Sequence, residues 1–255
     1  MSTAMNKDEI LLEKRIQELA RISYERDIPV HTDFLSLNEQ TIFHSAKASF
    51  PPVSVEITGG YDEAERKVVC FLPSYEEKCS YYPFCCVKIV PLNDKFAEAL
   101  THRDYLGALL NLGIERAKVG DIVIEGHTAY CICMRDMADF IVSELSRVRH
   151  TSVYGTVMEC QDFDRKPNTV EIEGSVASIR LDALLPVAFQ TSRTKLVPLF
   201  AGEKVFVNGR METSGSFTPR EGDLISVRGY GKFRYIGIKN TTKKGRLFVQ
   251  IQKFV

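Results

Sequence analysis

No stretch of the 255-residue chain approaches the ~18 uninterrupted apolar residues that a membrane span needs. The first residues, Met1 to Glu13, lack the apolar core of a secretory signal. Both absences predict a soluble, cytoplasmic protein. There is no excess charge of either sign, with 33 Lys and Arg against 33 Asp and Glu. Taken alone, that neutrality argues against a polyanionic partner. The seven cysteines are odd in number and irregularly spaced, which fits a reducing compartment better than a disulfide framework. No internal repeat, low-complexity tract, Gly-x-Ser-x-Gly or His-Glu-x-x-His motif is present. Gly229-Tyr230-Gly231-Lys232 lacks the spacing and the hydroxyl residue of a phosphate-cradling loop.

What is present is ample material for packed cores. Residues are 44% hydrophobic and 26% charged, enough for one large domain or two to three small ones. The charge is also unevenly placed. From Gly174 to Val255 there are 14 Lys and Arg against 5 Asp and Glu, a net of +9. The preceding 173 residues hold 19 against 28, a net of −9. Such asymmetry points to a nucleic-acid or membrane contact for the basic part. Excess charge carried only for solubility is the plainer alternative.

Periodicity predicts an α+β protein. Asn6 with Glu9 can cap a first helix carrying Ile10, Leu12, Ile16 and Leu19, ending before Pro29. Asp33 to Ser49 reads as a second, so residues 1–50 form a helical region. Val53 to Thr58, Val68 to Leu72 and Phe84 to Val90 read as strands. Asp94 to Leu100 looks helical. Thr101-x-x-Asp104 resembles a capping box for a helix that Gly113 stops. Ile122 to Met134 is a hairpin, and Ala138, Ile141, Val142 and Leu145 mark another helix. This interleaving predicts a ferredoxin-like domain over 51–148. Residues 149–173 form a connector with extended pieces at Ser152–Glu159 and Thr169–Glu173 and a loop at 162–168. Gly174-Ser175 is the expected boundary of a basic module, 174–255.

In that module the pattern is helix, turn, helix, strand, turn, strand. Leu181, Leu184 and Leu185 share a face, and Ser192 can cap the second helix. Pro198 predicts that this helix is short or kinked. Asn208-Gly209 is a strong hairpin-turn signal. Phe248 to Ile251 is a third strand candidate.

The order Arg180-Leu181-Asp182, Ser192-Arg193-Thr194-Lys195, Val205-x-Val207-Asn208-Gly209 and Gly222-Asp223-x-Ile225-Ser226-Val227-Arg228-Gly229 resembles the RNA-binding module named after small-subunit ribosomal protein four. The likeness covers about 180–235. Pro198 and Phe200 differ from the usual pattern and bear on the path of the second helix. Tyr105-Leu106-Gly107-Ala108-Leu109-Leu110-Asn111-Leu112-Gly113-Ile114-Glu115-Arg116, with Val119-Gly120-Asp121-Ile122, resembles the bacterial YlmH family. That resemblance implies a ferredoxin-like domain followed by the basic module, and RNA binding without catalysis or cofactor. It also implies a role on the large ribosomal subunit with peptidyl-tRNA during rescue of stalled chains, and a link to cell division.

By position, Arg180, Ser192, Arg193 and Lys195 match the module's helical contact motif. Arg presents a planar fork to phosphate oxygens and Lys a point charge. Lys204, Arg228, Lys232 and Arg234 are further candidate RNA contacts. Arg228, Lys232, Arg234, Lys239, Lys243, Lys244 and Arg246 read equally as an extension of that surface or as a solvated basic edge strand and tail. Asp182 reads as a structural partner for a neighbouring basic side chain, and Asn208-Gly209 as turn chemistry. Tyr81, Tyr82 and Phe84 could stack bases, although their acidic surroundings favour core packing or protein contact. Neither Cys79, Cys85 and Cys86 nor His127, Cys131 and Cys133 supplies two zinc-spaced pairs, so no metal site is expected. His102 to Asp104 reads as a helix start rather than acid–base machinery. Two other functions stay open: an RNA-modifying enzyme, and a protein adaptor for division that uses the acidic first two-thirds.

Overall fold

A computed structural model describes residues 7–61, 64–160, 169–241 and 245–254. Asn6, the expected loop at 162–168, Lys243 and Lys244 lie outside them. The chain is a mixed α and β protein in two units, Met1–Lys166 and Pro167–Val255.

The first unit begins with α1 (Lys7–Arg26), β1 (Val30–His31), α2 (Leu37–Ala46), β2 (Ser54–Thr58) and β3 (Val68–Leu72). The Ser36 hydroxyl caps α2, and the Glu39 carboxylate accepts the Ser36 N–H at 2.6 Å, a reciprocal box. The three strands form an antiparallel sheet of order β1–β3–β2. Ile16, Leu19 and Ala20 of α1 and Phe43 of α2 bury against Val69 and Phe71 of β3. The expected 1–50 region therefore shares its core with strands assigned to the next domain. An amphipathic helix with one apolar face requires such a partner layer.

Next come β4 (Phe84–Pro91), α3 (His102–Asn111), β5 (Val119–Glu125), β6 (Thr128–Met134), α4 (Arg135–Glu144), β7 (Arg147–Val148) and β8 (Thr151–Met158). Their antiparallel sheet has the order β5–β6–β4–β8–β7. Alternation along β4 splits its side chains between two cores. Cys85, Val87 and Ile89 pack with Tyr105 and Leu109 of α3 and Ile141 of α4. Phe84 and Cys86 pack with Val68, Cys70 and Leu72 of β3. Two sheets thus lie face to face, with helices outside each. The Asp121 carboxylate joins them, accepting the Tyr61 hydroxyl at 2.7 Å and the Glu65 and Arg66 N–H groups at 2.6 and 3.1 Å. β8, placed by sequence in the connector, pairs with β4 along its length, so this sheet runs from 84 to 158. Asp94 to Leu100 is one 3-10 turn, Asp94–Phe96, and not the expected helix. The Glu98 N–H donates to Thr151 Oγ1 at 3.2 Å, which ties that segment to β8 in place of a helical bond.

The second unit contains β9 (Thr169–Val176), α5 (Leu181–Phe189), α6 (Arg193–Leu196), α7 (Pro198–Ala201), β10 (Val205–Val207), β11 (Arg210–Met211), β12 (Leu224–Val227), β13 (Gly231–Thr241) and β14 (Leu247–Phe254). The sheet order is β11–β10–β12–β13–β14–β9. Leu181, Leu184, Leu185 and Ala188 of α5 cover one face, against Val205, Ile225, Val227, Phe233, Val249 and Ile251.

Two expectations change here. Gly174 is not a boundary but lies inside β9, paired with Val249. A Cβ there would sit 2.5 Å from Val187 Cγ1, so glycine permits the close approach of α5. The expected basic edge strand changes only in part: residues 231–234 of β13 pair with β12 and are interior, whereas its second half, with Lys239, pairs with β14 alone. Moving Glu171 and Glu173 into the second unit leaves 14 basic against 7 acidic residues from 167 to 255, a net of +7. Pro198 acts as expected: it opens α7 after a break at Val197. Phe200 fills the core there.

Candidate nucleic-acid interface

Arg180 precedes α5 as its N-cap residue, and Ser192 holds the same place before α6. Asp182, in the first turn of α5, lies between them. Its Oδ2 accepts Arg180 Nη2 at 2.9 Å and also accepts Arg193 Nη2. The carboxylate is 8% exposed, whereas the two arginine side chains are 43% and 61% exposed. A buried anion therefore fixes two surface guanidiniums. A guanidinium carries five N–H donors, so most remain for a second acceptor. The Asp182 N–H is itself held by the Gly215 carbonyl at 3.0 Å, which anchors the carboxylate from the backbone. Lys195 is exposed one turn from Ser192, and the Ser192 and Thr194 hydroxyls lie 3.0 Å apart. Arg180, Ser192, Arg193 and Lys195 thus gather on the helical side of the unit.

The other four candidates lie elsewhere. Strand register puts Ser226, Lys232 and Phe206 in one row, with Arg234 beside Leu224 in the next. Their neighbours Val205, Ile225, Val227 and Phe233 point into the helix-covered core. Lys232 and Arg234 therefore face away from α5, by the two-residue alternation of a strand. Arg228 lies 4.8 Å over the Phe206 ring, on the same outer face. Lys204 precedes β10 one residue before the inward Val205 and is exposed. Of the eight candidates, four lie on the helical side and Arg228, Lys232 and Arg234 on the outer face, while Lys204 sits in the α7–β10 turn with its Cε near Gly202. Sequence reasoning passed over Lys253, which faces the helical side with its Nζ 5.5 Å over the Phe189 ring. Its place opposite Phe233 in the ladder could not be read without register. Asn208 and Gly209 have φ of +48° and +78°, a two-residue turn, and the Asn208 amide donates to Asp223 at 2.8 Å.

In the first unit, Tyr81, Tyr82 and Phe84 do not form a stacking row. Phe84 is buried, the Tyr82 hydroxyl donates to Glu56 at 2.6 Å, and Arg135 lies 4.6 Å over Tyr81. Cys85, Cys131 and Cys133 are buried under the helices. Burial holds the Cys131 thiol up at about 12. Among the described residues, no three His, Cys, Asp or Glu side chains gather as a metal set. Asp104 accepts the Thr101 N–H and hydroxyl, which hold its carboxyl below the usual range. No helix of the described residues is long and apolar enough to cross a membrane.

Residues 85–162 match the family model described as "Putative RNA-binding domain in YlmH". That span is close to β4 through β8, the five-stranded sheet with its two helices. An RNA-binding assignment thus falls on the part of the chain where charge argued against one. The chain is 32% identical over 253 residues to the ribosome-associated protein quality control protein P2 of Bacillus subtilis (strain 168), across 97% of this chain and 96% of that protein. It resembles in fold the cell division protein ylmH from Streptococcus pneumoniae, with a TM-score of 0.50 at 20% identity, over 64% of this chain and 98% of that one. Identity of this extent across nearly the whole of two chains, with the matching domain model, shows that the chain belongs to the YlmH family.

Proposed function

We propose that this chain is a non-catalytic RNA-binding protein of the cytoplasm that holds the large ribosomal subunit together with tRNA when translation stalls. The name of the Bacillus relative supports the setting. The observation that carries the reading is the buried Asp182 fixing Arg180 and Arg193 at the surface. Two guanidiniums in a set geometry match phosphate oxygens along an RNA backbone, which gives affinity with little sequence information. A-form RNA hides its major groove, so phosphate and 2′-hydroxyl contacts suit this surface. We read 167–255 as a module of the ribosomal-protein-four type and 84–158 as ferredoxin-like. The second sheet's order, two interleaved strand–helix–strand units, supports the latter.

Co-sedimentation of the full chain with purified large subunits tests this reading. Binding is expected at low salt, weakened by raised salt and by Arg193→Ala. A chain that stays at the top of the gradient at low salt would refute it.

A further inference from the structure

The outer face of the C-terminal sheet carries chemistry that a solvated face does not require. Polar residues alone would satisfy such a face. Instead, Phe206, Ser226 and Lys232 form one row across β10, β12 and β13. The β13–β14 register, Phe233 opposite Lys253, continues that row to Phe254. Each ring has a cation above it: Arg228 Cζ lies 4.8 Å from the Phe206 centroid and Lys232 Nζ 5.1 Å from that of Phe254. Arg234 and Gln252 occupy the next row.

We infer that this face is a second RNA surface, one that takes unpaired nucleotides and is separate from the helical surface around Asp182. The inference rests on the RNA-binding reading above and adds a second site to it. The rings offer flat apolar area on which bases stack, and the Arg228 guanidinium plane offers another. The cations above the rings select the partner. Burying them against an apolar protein surface would strip their hydration without compensation. A phosphate backbone draws these cations to itself, which uncovers the rings for its bases. Charge also sets the track. Arg228, Lys232 and Arg234 lie on the β10 to β13 half. Glu171 and Glu173 of this face lie on the edge strand β9, where Gln250 bonds Glu171 and Lys239 pairs with Glu173, and the Glu221 carboxylate lies against Gly237 in the later part of β13. A strand of RNA would therefore cross β10, β12 and β13 and leave β9 free. Because α5 covers the other face, one RNA segment cannot occupy both surfaces, and the unit would hold two.

Two probes on the full chain test this: an unstructured oligouridine of about ten nucleotides and a base-paired RNA hairpin. Phe206→Ala/Phe254→Ala is expected to weaken oligouridine binding about tenfold or more, while hairpin binding stays within about twofold. Arg193→Ala/Lys195→Ala should do the reverse. Lys232→Glu, at a half-exposed site, gives the same readout if the double Phe variant fails to fold. Oligouridine binding that is unchanged in the Phe206/Phe254 and Lys232 variants would overturn the inference. So would equal loss of both probes in the Arg193 variant, which would mean one surface. Binding of the hairpin but not of oligouridine would assign the outer face to protein contact and leave the proposed function standing. Binding of neither would remove both.

Discussion

Replacing Asp182 with Asn keeps the shape of the side chain and removes the charge that fixes Arg180 and Arg193. Both arginines are largely solvated, so each ion pair contributes only ~0.2–1 kcal/mol to folding. The variant should thus lose roughly 0.4–2 kcal/mol of stability and remain folded. RNA affinity should suffer more. Each arginine released from a fixed geometry must be ordered again on binding, at about 0.5–1.5 kcal/mol per side chain. Together that is about 1–3 kcal/mol, or roughly 5- to 150-fold in Kd. An opposing effect exists, since a negative charge near the phosphates is gone. At ~6 Å in a near-water dielectric it amounts to about 0.7 kcal/mol, less after screening. Loss of order outweighs it, so weaker binding is expected. Fluorescence anisotropy with a labelled RNA hairpin at physiological salt measures Kd, and circular dichroism checks the fold. A folded Asp182→Asn chain that binds as tightly as the parent, or more tightly, would refute the role given to this carboxylate.

Asp121→Ala should cost about 2–4 kcal/mol in a urea titration, because two backbone N–H groups and the Tyr61 hydroxyl lose their acceptor; an unchanged midpoint would contradict the staple. Gly174→Ala should cost about 1–3 kcal/mol by crowding Val187, and Gly174→Ala/Val187→Ala should recover part of it. Full additivity of the two changes would show that they do not touch. Burial holds the Cys131 and Cys160 thiols up at about 12, so little reactive thiolate exists near neutral pH and alkylation should quicken as pH rises. Iodoacetamide followed by mass spectrometry should modify half-buried Cys79 first and reach the buried cysteines only in urea.

The features that sequence made visible are the local ones. The Thr101–Asp104 box, the Gly113 stop, the Asn208-Gly209 turn and the break at Pro198 each depend on residues a few positions apart. Pairing is not local, and that is where reading failed. β9 meets β14 across a separation that includes the whole module, and its alternation of Glu171, Ile172 and Glu173 gave no sign of where it would bond. The basic residues of β13 are legible as an edge strand, but glycines at 231 and 237 interrupt its alternation and hide the pairing of its first half with β12. The candidate residues were identified as a set, yet their division between two faces depends on register alone. Asp182 was correctly read as a partner for a basic side chain, but its second arginine lies 11 positions away and became evident only in the fold. Net charge points away from the central sheet, the part of the chain that matches a family model described as a putative RNA-binding domain. An acidic unit can still carry a domain of RNA-binding type, because charge summed over a unit says nothing about one face of it.

Cross-linking the chain to RNA in cells and sequencing the attached fragments tests the central claim most directly. The account predicts large-subunit ribosomal RNA and tRNA fragments, cross-linked through peptides that include Arg180 and Arg193. Fragments spread evenly over cellular RNA, or none above background, would contradict it.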